Sequence, residues 1–489
     1  MSREVINELT HMFALDIQRA ILSKIHKAKL YSILADETRD ISNKEQLVCL
    51  IRWVEENYTV HEDFIGLVEL PKQDSATIFS ILQDILICCN IPLNLCRGQA
   101  YDGAANMSGH IRGVAAMFKE KNPAALHIHC LAHCLNLCLQ DASKKCKSVR
   151  DQAISKAWTV RTGAVKSVID NYNVLCTAMT HINENSHDEH GRKACGILAV
   201  LEKFSTFYGL SLAYLVFSVT EHLSKTLQTV NITIHEAQKA VKLTQGFFSR
   251  QRTHECFANF FNSVIEQSKD LTDEPVVPRQ KRPPRRIDSG ADSCTFPSPQ
   301  EYYRREYYEV LDLIDHELTF RFAQKDVEVA IVLEQMLLTA ATGKKVALPS
   351  SISNLYSSDF NFDRLLQQLE MLADTILESG NDPKTVTNIR VISDAMNAVP
   401  VSKKLLPEVH KLLCLYYTIP VTTATAERCF SSLRRVKNYL RSTMTQMKLN
   451  DLMCGYIHKD YLVQTDVVAL ANDFAQRNNR RKIYFSRVH

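Results

Sequence analysis

No stretch of this 489-residue chain approaches eighteen consecutive apolar residues, roughly the length a membrane-spanning helix requires. A charge-free stretch, Thr206 to Val219, carries serines, a glycine and tyrosines, and reads as a buried helix. The N-terminal MSREVINELTHMF has no apolar core of the signal-peptide kind, so secretion is not expected. Paired CxxC and CxxH units at zinc-finger spacing are missing too, so no N-terminal DNA-reading finger is expected. A surplus of one charge is also lacking. The formal net charge of +4 implies no polyanionic partner by itself, and its distribution says more than its sum.

What is present describes a folded globular chain: 45% hydrophobic and 23% charged residues. The length exceeds one ordinary core, so at least two structural units are expected. Fifteen cysteines form an odd count without the dense spacing of a disulfide scaffold. Cys49, Cys88, Cys89 and Cys414 sit in apolar helix or strand patterns, as reduced, buried thiols of the cytosol or nucleus do.

The first third alternates as an α/β core does. Residues 30–36, 46–54 (QLVCLIRWV) and 60–70 (VHEDFIGLVEL) read as three strands. Asp74 reads as a helix cap, with Ile78, Phe79, Leu82, Ile85, Leu86 and Cys89 following at helical spacing. Residues 95–102 return to strand, and Ile111–Lys121 reads as a helix. Beyond about residue 147 the pattern is helical. Leu223, Leu227, Val230, Ile234, Ala237 and Val241 predict one apolar stripe across 223–241, and Val329, Leu333, Met336 and Leu337 predict another.

Three acids stand in recognisable settings: Asp36 in SILADETRD, Asp102 in RGQAYDGAANMSG, and Glu427 in PVTTATAERCFSSL, just ahead of an amphipathic helix pattern. Two carboxylates at strand ends plus a third from a late helix suit a two-metal phosphodiester site, because Mg²⁺ takes hard oxygen ligands. A lone Asp at a strand end is more often a turn or helix cap. Here the flanking words and their order, LADETRD, YDGAANMSG, HCLAHCLNL and then TATAERCFS, carry the argument.

These words resemble hAT-superfamily DNA transposases, and most closely the hAT-derived regions of zinc-finger MYM-type proteins, over about Ser32 to Tyr461. The resemblance implies an α/β, RNase H-like core interrupted by a large all-α insertion, with the chain mostly helical overall. Its division would be an N-terminal part of the core over 1–147, the helical insertion over 148–410, core helices with the dimerisation region over 411–461, and a basic tail over 462–489. Asp36, Asp102 and Glu427 would form the D-D-E triad and hold Mg²⁺, or Mn²⁺, with water and then a strand-end hydroxyl as nucleophile.

Within HIHCLAHCLNLCL, the residues His127, His129, Cys130, His133, Cys134 and Cys138 invite a zinc reading. No second ligand pair at compatible spacing is evident, and a metal-free buried helix fits better. The family's CxxH motif maps onto Cys130, as a packing or positioning residue, and onto His133, as the donor facing the phosphate. The family's Thr-Arg-Trp is only partly kept. Lys156-Ala157-Trp158 retains the tryptophan, a DNA-contact candidate or equally a core aromatic, and lacks the arginine.

The proline-rich 273–300 segment, an irregular loop, clusters Arg279, Lys281, Arg282, Arg285 and Arg286. It reads either as a solvated surface loop or as a basic arm that gathers phosphates. Arg434 and Arg435 beside Glu427 are further DNA-contact candidates. Phe430, Leu433, Leu440, Leu449, Leu452, Met453 and Ile457 form helical stripes that the resemblance assigns in part to a subunit interface, giving at least a homodimer. Two functions follow. One is a nuclear, DNA-binding, dimerising transposase-derived protein with Mg-dependent strand cleavage and transfer. The other is a non-catalytic, domesticated or decaying copy acting as an interaction or regulatory protein. No membrane partner is expected.

Overall fold

The protein's computed structural model describes residues 2–109, 111–145, 161–186, 188–277 and 296–484. The chain divides into two compact units. The first comprises Met1–His133, Gln228–Glu236 and Gln324–His489; the second comprises Cys134–Leu227 and Ala237–Ala323.

The first unit is built on a five-stranded mixed sheet of order β3-β2-β1-β4-β5. Its strands are β1 (Tyr31–Arg39), β2 (Glu45–Val54), β3 (Val60–Glu69), β4 (Cys96–Tyr101) and β5 (Leu126–His129). The hairpin-linked β1, β2 and β3 are antiparallel, whereas β4 and β5 run parallel to β1. The second strand is buried along nearly its whole length because both faces of the sheet are covered.

Asp74 caps α2 (Ser75–Cys88), its carboxylate accepting from the Thr77 amide at 3.0 Å, the sequence signature of a helix start. The short α3 (Ala105–Ser108) and α4 (Val114–Lys121) follow β4, and α5 (Leu131–Lys145) follows β5. An N-terminal helix, α1 (Arg3–Ala28), was not expected from the sequence. It buries Met12, Ile17, Ile21 and Ile25, whose steps of four and five residues set one face of the helix against the core.

The regular structure of the second unit is wholly helical among its described residues: most of α5, then α6 (Arg161–Asp170), α7 (Tyr172–Asn185), α8 (Glu189–Leu201), α9 (Phe204–Leu227), most of α10 (Ile234–Gln251), α11 (His254–Ser268) and α12 (Pro299–Phe322). Its interior is aromatic. The ring of Tyr303 lies 4.5 Å from Tyr208 and 5.1 Å from Phe204, and Phe261 stands 5.9 Å from Phe204. The charge-free run is the buried helix α9, and no single described helix is long and apolar enough to cross a membrane. The stripe expected through 223–241 is broken: α9 ends at Leu227 and α10 begins at Ile234. Apolar spacing continues across the gap by coincidence, because residues of a turn can be buried as well as those of a helix.

From Gln324 onward the helices belong to the sheet unit, so the second unit closes at Ala323 rather than at 410. They are α13 (Lys325–Ala341), then α14 to α18 (Ser350–Leu355, Phe362–Glu370, Leu372–Glu378, Ile389–Ala398 and Pro400–Leu405) and α19 (Pro407–Thr418). Next come α20 (Ala424–Val436) and α21 (Gln446–Ile457), and α20 packs on β1 and β2.

Candidate active site

Parallel pairing brings the first two acids to one edge of the sheet. The ladder between β1 and β4 ends at Leu34 opposite Ala100, and two more residues along each strand lead to Asp36 and Asp102. Side chains alternate along a strand, so Asp36 shares a face with Ser32 and Leu34, and Asp102 follows Gly98 and Ala100 on that same face. The β1–β4 pairing stops at Ala100, so both acids lie at the carboxyl ends of their strands, where α/β sheets commonly hold ligands.

The Asp102 turn is tied down locally. Its Oδ1 accepts from the Ala104 amide at 3.2 Å, and the Ser108 hydroxyl donates to its carbonyl at 2.5 Å. Glu37, next to Asp36, accepts from Asn106 Nδ2 at 2.6 Å and from Gln73 Nε2 at 3.3 Å, which holds α3 against β1.

Glu427 lies inside the first turn of α20 rather than ahead of the helix. All three acids are half-buried. Burial pushes the Asp36 carboxyl well above the ordinary carboxylate range, and the charges of Asp102 and Glu427 add to that push, while the Glu37 amide opposes it. Glu427 is raised as well, by burial, with Arg428 partly opposing. Glu37 is raised by burial and by Asp102 against its two amide donors.

Hard carboxylate oxygens are the donors a divalent cation such as Mg²⁺ takes, so the donor set fits such an ion. Among the described residues no three His, Cys, Asp or Glu side chains are gathered closely enough to hold one as they stand.

Cys130 links the two halves of the site. Its amide donates to the Tyr101 carbonyl at 3.0 Å, one residue before Asp102, and its Sγ accepts from the Thr423 amide at 3.2 Å, four residues before Glu427. The Leu131 amide adds a bond to the Val421 carbonyl at 3.2 Å. Burial raises this thiol, so it stays protonated and packs. The segment read as one buried helix is in fact strand β5 followed by α5.

His129 is a residue that sequence reasoning named only as a zinc candidate. A Cβ on Gly103 would lie 2.6 Å from its ring, so glycine is what admits this imidazole beside the Asp102 turn. His133 stands next to it, ring centroids 5.7 Å apart. The pairing of YDG with HIH was the available signal.

The remaining candidates are dispersed. Arg434 and Arg435 are exposed on α20. Phe430, Leu433, Leu449 and Met453 are buried in the chain's own core, with Leu452 and Ile457 packed against it, so these stripes help to cover the sheet unit. Only Leu440 of that group is open, 77% exposed beside an equally exposed Tyr439. Trp158, Arg279, Lys281, Arg282, Arg285 and Arg286 lie outside the described residues.

Residues 1–113, which include Asp36 and Asp102, match the family described as ZMYM1/FAM200, RNase-like domain. Residues 394–461, which include Glu427, match the hAT family C-terminal dimerisation region. The chain is 22% identical over 505 residues to the 52 kDa repressor of the inhibitor of the protein kinase of Homo sapiens, covering 92% of this chain and 64% of that protein. The Mus musculus protein of the same name is likewise 22% identical, over 506 residues, with 92% and 65% covered. The chain thus spans just under two thirds of the length of these curated relatives. One matched region thus holds both aspartates and the other the glutamate, and over these two regions the chain is similar to the ZMYM1/FAM200 RNase-like domain and to the hAT C-terminal dimerisation region.

Proposed function

We propose that the sheet unit is an RNase H-like core of transposase descent that binds DNA in the nucleus, pairs with a second copy, and carries a phosphodiester site at Asp36, Asp102 and Glu427. The observation that supports this most is that parallel β1 and β4 carry Asp36 and Asp102 to the same end of the sheet, while Glu427 stands in the first turn of α20, the helix that packs on β1 and β2. Asp36, Asp102 and Glu427 would hold Mg²⁺ or Mn²⁺, which when bound supplies charge neutralisation at the attacking and leaving oxygens.

The chain's own residues do the rest. His133 donates a hydrogen bond to a phosphate oxygen, and the neighbouring His129 ring limits where that donor can turn. Arg434 and Arg435, exposed on α20, meet the phosphate backbone and set the strand's approach. Arg279, Lys281, Arg282, Arg285 and Arg286 add salt-sensitive attraction, and Trp158 is a further contact to a DNA end. Within the dimerisation region, Tyr439, Leu440 and Met447 are exposed apolar residues after Glu427 that a second copy would cover, and Val401 and Leu405 are exposed ahead of it.

A second reading is a non-catalytic interaction protein. It is favoured by the open spacing of the acids, which closes no three-ligand group among the described residues, and by the relatives' description as repressors.

One experiment separates the two. Mn²⁺ binding by calorimetry and cleavage of a labelled DNA duplex are measured on the full chain and on Asp102→Asn. Binding and cleavage that the variant loses support the first reading. Intact dimers that bind no ion and leave the DNA whole establish the second.

A further inference from the structure

A polar row crosses the sheet beneath the segment that leads into α20. Strand register sets Gly98, Ser32, Arg52 and Glu62 side by side on β4, β1, β2 and β3. Every one of them meets residues 417–425. Ser32 Oγ donates to the Thr418 carbonyl at 2.7 Å, and Arg52 Nε donates to the Tyr417 carbonyl at 3.0 Å. Gly98 leaves room for Pro420, whose Cδ would lie 2.5 Å from any Cβ there. At the end of the row, Glu62 Oε2 accepts from the Thr425 hydroxyl.

The charges in this row are sealed. Arg52 Nη1 donates to Glu62 Oε1 at 2.7 Å, and the two side chains are only 2% and 1% exposed. A buried ion pair is a poor device for raw stability, because desolvation offsets most of its attraction; fixing one arrangement among several is its better attested use. Here the pair fixes a direction. With Oε1 engaged by Arg52, the carboxylate offers Oε2 to Thr425. The Thr425 hydroxyl then points its proton at Glu62 and accepts from Arg428 Nη2 at 2.6 Å, while Arg428 Nη1 donates to the Gln228 carbonyl at 3.2 Å.

Thr425 stands two residues before Glu427 in the same first turn. Apolar contacts alone tolerate a helix rolling about its axis, and a one-residue roll, about 100°, would carry Glu427 off the acid cluster. A hydroxyl donating to one buried oxygen does not permit that roll.

We infer that the Arg52–Glu62 pair, acting through the Thr425 hydroxyl, is a positioning device that sets Glu427 opposite Asp36 and Asp102. This rests on the reading of those acids as a cation site.

The test is Mn²⁺ binding by calorimetry to the full chain, to Thr425→Val, to Thr425→Ser and to Asp102→Asn, with thermal melting of each ion-free protein alongside. Thr425→Val keeps the side-chain shape and removes the hydroxyl. It is expected to weaken Mn²⁺ by about tenfold or more, the usual range for a residue that orients a ligand, with little change in melting. Thr425→Ser is expected to restore binding. Should Thr425→Val fold poorly, Thr425→Ala is measured in its place. Tight binding by the parent that Asp102→Asn loses but Thr425→Val and Thr425→Ala keep overturns this inference alone. A parent that binds no Mn²⁺, or an Asp102→Asn that binds as well as the parent, overturns the cation site and this inference with it.

Discussion

In the sheet unit three ion pairs are closed off from water: Arg52 with Glu62, Arg97 with Asp359, and Lys437 with Asp40. In the helical unit every described ion pair keeps at least one partner in reach of solvent, as Arg252 and Asp312 do at about half exposure each, and the interior is a stack of Phe and Tyr rings. Aromatic packing holds helices together but is tolerant of small shifts. Buried charges demand one geometry and penalise every other. Two of the three sealed pairs hold α20, which is pinned at its first turn through Thr425 and just past its last through Lys437. The contrast teaches where this chain needs accuracy and where cohesion suffices.

Breaking a sealed pair is the most severe way to test the contrast. Lys437→Met strands the Asp40 carboxylate, which is 1% exposed, and is expected to cost the sheet unit about 3–5 kcal/mol. Arg252→Met in the helical unit is expected to cost no more than about 1 kcal/mol. Urea unfolding followed by circular dichroism measures both, and equal losses would erase the distinction.

The Lys437→Met deficit carries a pH signature. Burial alone would raise Asp40, but the Lys437 ammonium and the Lys44 and Ser42 amides outweigh it and hold the carboxyl below the usual range. That contribution is present above the ordinary carboxylate pKa and is lost as pH falls through the lowered value, so the deficit should shrink in strong acid.

A gentler probe reverses the sign. Asp36 is raised in the folded chain, so its contribution is full below the ordinary carboxylate pKa and is lost as pH rises through the raised value. Asp36→Asn should therefore melt later than the parent at neutral pH. The advantage should vanish near pH 3. A melting temperature unchanged or lowered at pH 7 would mean that the acids do not oppose one another as described.

Leu440→Glu is expected to change folding stability by less than about 0.5 kcal/mol, since the residue is largely exposed. Sedimentation velocity should nonetheless shift toward monomer. A dimer that survives the substitution would move the interface elsewhere on the dimerisation region.

Much of the sheet unit was legible from short-range pattern. The strands read at 46–54 and 60–70 and the Asp74 cap fall where alternation and capping chemistry put them. Four residues of β5 gave too short a pattern to separate from the helix that follows. The stripes after Glu427 were visible as stripes, but periodicity says only that a face is covered, not whether the chain or a partner covers it, and Leu449 and Met453 face the chain's own core. The flanks of Asp36, Asp102 and Glu427 made the acids visible. The pairs that fix α20 were not, because Arg52 and Glu62 find each other through register, and Asp40 and Lys437 lie almost 400 residues apart. Such partners are chosen by topology and leave no local trace.

The sheet unit is assembled from three separate stretches of sequence, and this sets a timetable for synthesis. Roughly 390 residues separate the strand bearing Asp36 from the turn bearing Glu427, which at about 5–20 residues per second is roughly 20–80 seconds of translation. The intervening helical unit is made and can pack during that wait, while the polar row on the sheet stays hydrated. Only when the segment around Thr425 emerges does the third carboxylate arrive and water leave the Arg52–Glu62 pair. A ribosome-bound chain therefore carries Asp36 and Asp102 before Glu427 has been made, and α20 cannot be pinned on the sheet until the segment around Thr425 is out.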